Sequence, residues 1–87
     1  MLEEFVGQKV VIDLHGRFVC LGTLQRFDDH FLELRNADLH DLHDTDTSRE
    51  NYVAASVETG IKRNRRSLII VRAQVVALGL LDDVVDE

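Results

Sequence analysis

With 87 residues the chain has room for one domain, and a domain this short buries only about 60% of the surface its unfolded chain exposes, so self-association is expected to contribute. An apolar share of 45% excludes disorder of the whole chain, and no apolar run approaches the roughly 20 residues needed to span a bilayer, which predicts a soluble, cytoplasmic protein without a membrane partner. The formal net charge of −6 argues against nonspecific clamping of nucleic acid, which depends on Lys and Arg releasing counterions from phosphates.

Leu2, Phe5 and Val6 fall at helical spacing beside Glu3 and Glu4, with Gly7 placed to end the turn, and this predicts a short amphipathic helix. Lys9 to His15 alternates, with Val10, Ile12 and Leu14 on one face and Val11, Asp13 and His15 on the other, the period of a half-buried strand. After a Gly16-Arg17 turn, Phe18 to Phe27 makes a long second strand. Gly22 in its middle points to a sharp bend or a close backbone approach, and Cys20, the only cysteine, to a small buried residue. Asp28-Asp29-His30 is the next turn, and Phe31 to about Leu39 is a third strand.

Residues 40–66 interrupt the strand pattern. Thr47 and Glu50 have capping-box spacing, Asn51 to Glu58 tolerates helix, and Gly60 stands where a helix would end, so a short inserted helix is predicted. Ser67 to Arg72 and Val75 to Leu80 are the last two strands, separated by a bend at Ala73-Gln74.

Chemistry-bearing residues gather in few places. Lys62, Arg63, Arg65 and Arg66 form one basic cluster, suited either to phosphates or to the acidic loop or tail of the same or a neighbouring subunit. Acid is concentrated at Glu3-Glu4, along Asp38 to Asp46, and in the tail Asp82-Asp83 to Asp86-Glu87. His40, His43, Asp44 and Asp46 are types able to coordinate a divalent ion, but a solvated acidic loop accounts for them at least as well, so no metal is assigned. No nucleophile lies in a recognisable elbow and no glycine loop is built to cradle phosphates, so neither an enzyme nor a cofactor is expected.

The order of a short helix, three strands, an insert and two strands resembles the Sm and Sm-like (LSm) family. The resemblance covers roughly residues 1–39 and 67–82. The stretch Gly22-Thr23-Leu24-Gln25-Arg26-Phe27-Asp28-Asp29-His30-Phe31-Leu32 is similar to the first Sm motif in its glycine, in Asp28 six positions later, in His30 and in Phe31. Leu32 stands where the family usually has asparagine. Arg72 is similar to the arginine of the second motif, but Ala73 replaces the glycine that usually follows.

The resemblance implies a mainly β fold: a five-stranded, strongly bent antiparallel barrel whose fourth and fifth strands pair between subunits to close a homo-oligomeric ring of about five to seven copies. It further implies single-stranded RNA as ligand at the inner rim, with His30 stacking on a base and Asp28, Phe31 and Arg72 beside it. The family's asparagine, which reads the base, is absent. The alternative is a ring-shaped interaction scaffold that binds a protein partner through the insert and no RNA.

Overall fold

The computed structural model describes residues 1–43 and 48–85. Five antiparallel strands form one sheet: β1 (Lys9–Leu14), β2 (Phe18–Phe27), β3 (Phe31–Asp41), β4 (Arg65–Val71) and β5 (Val75–Leu80). One helix, α1 (Arg49–Thr59), lies between β3 and β4. The strand order is β4-β3-β2-β1-β5, so β4 and β5, joined only by a 3-10 turn over Arg72–Gln74, occupy opposite edges of the sheet.

Alternation builds the core, as the apolar residues of a strand reach one face at every second position. Val10, Ile12, Cys20, Leu24, Leu32, Leu34, Ala37 and Ile70 form one buried cluster, with Val75, Leu78 and Leu80 of β5 packed against it. Cys20 is fully buried as expected, and burial, with a smaller contribution from Asp38, pushes its thiol pKa up to about 12. At Gly22 a side chain would meet backbone. An added Cβ would stand 3.1 Å from the Ala37 Cβ, 3.2 Å from its Cα and 3.3 Å from the Arg35 carbonyl. The pairing of β2 with β3 slips at this point, and Asn36 takes a φ of 50°. An extra residue on one strand twists and bends the pair locally, as a β-bulge does.

Several boundaries differ from the sequence reading. The N-terminal helix is a single 3-10 turn, Leu2–Phe5, whose Leu2 and Phe5 pack on the core while Val6 is extended and exposed. β1 stops at Leu14, before His15, and β3 runs on to Asp41 because His40 and Asp41 pair with Val19 and Phe18. β4 begins two residues early, at Arg65, which pairs with Ala37. Arg72 lies in the 3-10 turn instead of in the strand.

The larger difference concerns the second face of β1, which is not half-buried. Val11, Val19 and Leu21 form a second cluster with Val53 of α1 and Leu81, flanked by Leu42, Tyr52, Ile61 and Val84. The insert therefore covers a sheet face that alternation alone assigned to solvent. Ser48 caps α1, its Oγ accepting from the Asn51 amide at 3.2 Å, and Gly60 ends it at φ 89°. The cap is thus one residue later than the Thr47–Glu50 box expected from the sequence, and Thr47 itself lies outside the described residues. Arg49 ties the first turn of α1 to β1, with Nε 2.5 Å from the Asp13 Oδ1, and this hydrogen bond raises its pKa.

Candidate nucleic-acid interface

The β2–β3 turn is organised by one carboxylate. Asp28 Oδ1 accepts from the backbone amides of His30 and Phe31, both at 2.8 Å, while the Asp28 amide donates to the Phe31 carbonyl at 3.0 Å. The two amides hold the Asp28 pKa below the usual aspartate value, because they bond its charged form. The side chain faces its own turn. Asp28 is thus a shaping residue for the turn, and the groups presented outward are the His30 and Phe31 rings.

The chain returns to this turn after 40 residues. The Arg72 amide donates to the His30 carbonyl at 2.8 Å, and its guanidinium donates to the Asp28 carbonyl. Phe31 pairs with Val71 across the β3–β4 ladder. Together Asp29, His30, Phe31, Val71, Arg72 and Ala73 line an open groove of about 630 Å³. The rings of His30 and Phe31 meet edge to face, with centroids 6.4 Å apart at 69°. Phe31 is 46% exposed and also borders a second groove with Phe27 and Ile69. An exposed aromatic edge beside a cation is chemically suited to stacking on a planar heterocycle whose phosphate lies near the guanidinium.

Of the residues predicted from sequence, Asp28, His30, Phe31 and Arg72 are brought together. Lys62, Arg63, Arg65 and Arg66 are not. They lie before and at the start of β4, while Arg72 follows its end, a separation of roughly 20 Å at strand rise. There the Arg63 guanidinium donates to the Asn36 Oδ1 at 2.9 Å. Asn64 extends the sheet edge with its side chain, its Oδ1 accepting from the Leu39 amide at 3.2 Å and its Nδ2 donating to the Leu39 carbonyl at 3.3 Å.

The histidine and aspartate set divides. His40 sits on β3, its ring stacked on Tyr52 at 4.0 Å and 8°. Asp41 accepts an ion pair from the Arg17 Nε at 3.0 Å. Among the described residues no group of three or more His, Cys, Asp or Glu side chains is gathered as metal ligands. Asp44 and Asp46 lie outside the described residues.

One polar cluster went unnoticed in the sequence. The Tyr52 hydroxyl of α1 donates to the buried Asp38 of β3, and burial followed by this bond raises the Tyr52 pKa. The signal was the only tyrosine of the chain in the insert and two polar residues, Asp38 and His40, at strand spacing just ahead of it.

These features define a small mainly β protein, one sheet with one helix packed on it, in which the exposed rings of His30 and Phe31 and the half-buried Arg72 converge on a single turn. No protein-family model matches the chain, and no curated protein matches it in sequence.

Proposed function

We propose that the chain is an Sm-like, ring-forming protein that binds single-stranded RNA where the Asp28–Phe31 turn meets Arg72. The observation that carries this reading is the pair of bonds from Arg72 to the backbone of Asp28 and His30. They join the two stretches whose sequences resemble the Sm motifs. His30 supplies the stacking surface, Phe31 its edge-on neighbour, and Arg72 the charge for phosphate.

The ring rests on the sheet. A three-residue link between β4 and β5 reaches at most about 14 Å, whereas the edges of a flat five-stranded sheet stand roughly 19 Å apart. The sheet must therefore curl, consistent with edge residues on β4 and β5 sharing one core. Both edge strands then offer unpaired backbone beside exposed Ile69, Val71 and Val76. Such edges invite a neighbour, and head-to-tail pairing closed by rotation leaves none free.

The test is fluorescence anisotropy with short uridine-rich and adenosine-rich oligonucleotides at low salt. His30→Ala is expected to weaken binding at least about fivefold, the lower end of one aromatic–base stack. Absence of binding by the unaltered protein overturns the RNA reading and leaves the protein-binding scaffold.

A further inference from the structure

The basic cluster at the head of β4 lies at the opposite end of that strand from the Asp28–Phe31 turn, on an unpaired edge of the sheet. We infer that Arg65 and Arg66 form a charge-complementary contact with Asp82 and Asp83 of a second copy of this chain, setting the direction in which subunits pair. This rests on the edge-to-edge assembly proposed above.

Strand polarity decides which charges meet. β4 starts at Arg65 and Arg66 and ends just before Arg72, so both ends are cationic. β5 runs from Val75 to Leu80 and passes directly into the 3-10 turn Leu81–Asp83, so its start follows Arg72 and its end is followed by two acids. Two arrangements of β4 beside a neighbour's β5 are available. Antiparallel pairing necessarily sets the head of β4 against the end of β5, hence Arg65 and Arg66 beside Asp82 and Asp83. Parallel pairing sets the same arginines against the start of β5, beside the neighbour's Arg72. Opposite charges across strands stabilise and like charges destabilise, so the charges select the antiparallel arrangement.

The four side chains are available for this. Arg65, Arg66, Asp82 and Asp83 are all exposed. Among the described residues none of them forms an ion pair within the chain, in contrast to Arg17, Arg26 and Arg49, each of which has a carboxylate partner. The Arg65 guanidinium makes one bond, to the Asn64 carbonyl at 3.1 Å, which leaves most of its donors unused. Backbone at the two edges supplies cohesion, and the charged ends supply direction.

The experiment is a charge swap read by native mass spectrometry and light scattering at low and high salt. The unaltered chain is expected to assemble and to loosen as salt rises, because exposed ion pairs are screened. The double variant R65E/R66E and the double variant D82R/D83R should each weaken association by about tenfold or more, since each turns two attractions into repulsions. The quadruple variant should restore it, and circular dichroism confirms that each variant folds. An assembling protein indifferent both to salt and to the single-sided reversals would overturn this contact while leaving edge pairing intact. A chain that stays monomeric at every concentration would overturn the edge-pairing reading itself. Should either double variant fail to fold, the salt titration of the unaltered protein decides: association that is unchanged or stronger at high salt contradicts the proposal.

Discussion

Asp28 shows how much of the candidate interface depends on one side chain. Its Oδ1 satisfies two amides that would otherwise point to solvent, and Asp28→Ala is expected to loosen the turn and release His30 from its position beside Arg72. Because the folded pKa is lowered, this contribution is present above the unfolded aspartate value and fades as pH falls below it. The protection of the His30 and Phe31 amides, their exchange rate relative to that of an unstructured chain at the same pH, should therefore fall in acid, below about pH 4. Cys20 and Tyr52 act in the opposite direction. Both have raised folded pKa values, so they favour the fold below their unfolded values and cost stability as pH climbs past them. In denaturant titrations stability should fall above about pH 9, with a slope of up to about 1.4 kcal/mol per pH unit for each group, and Cys20→Ala should flatten the first part of that limb. Gly22 is the steric counterpart. Gly22→Val would force a branched side chain into the space held by Ala37 and the Arg35 carbonyl, and a loss of about 1–3 kcal/mol is expected from chemical denaturation.

At the scale of elements, α1 is as much a part of the fold as any strand. Val53 is buried to 1% exposure against Val11, Val19 and Leu21, so Val53→Ala should cost about 1.5–3 kcal/mol. Ser48→Ala should cost about 1 kcal/mol by removing the cap. The strands β1 to β3 were legible because Val10, Ile12 and Leu14 fall at strand spacing, because Leu32 and Leu34 alternate with Glu33 and Arg35, and because Gly22 and the Asp28–His30 turn punctuate the run. The role of α1 was not, since the helix buries only Val53 and Ser56 and so lacks the apolar stripe by which a packed helix is recognised. Likewise Val11 beside Asp13 looks half-solvated until something is known to lie over it. The early start of β4 escaped for another reason. Asn64 bonds the Leu39 backbone through its side chain, and no hydrophobic period records a strand continued in that way. At the candidate interface, Asp28, His30 and Phe31 were legible as one turn, whereas their junction with Arg72 depends on a contact across more than 40 residues that local pattern does not contain.

For the whole molecule the decisive property is that its two sheet edges are unpaired and complementary in polarity. An exposed aliphatic edge is an aggregation hazard unless it is covered, and the short β4 and β5 with Ile69, Val71 and Val76 are accounted for if each covers the other in a neighbouring copy. Ile69→Lys, at a side chain 61% exposed, should leave the subunit folded and abolish assembly, with circular dichroism and sedimentation separating the two effects. The acidic total then has a consequence for RNA. Were RNA bound at the proposed site, few phosphates would be neutralised and the salt dependence would be shallow. Ring formation is tested most directly by a native mass spectrum of the unaltered chain at micromolar concentration and low salt. For the proposed ring a single closed species of about five to seven subunits is expected, one that retains short single-stranded RNA when it is supplied. A spectrum showing only monomer would contradict it.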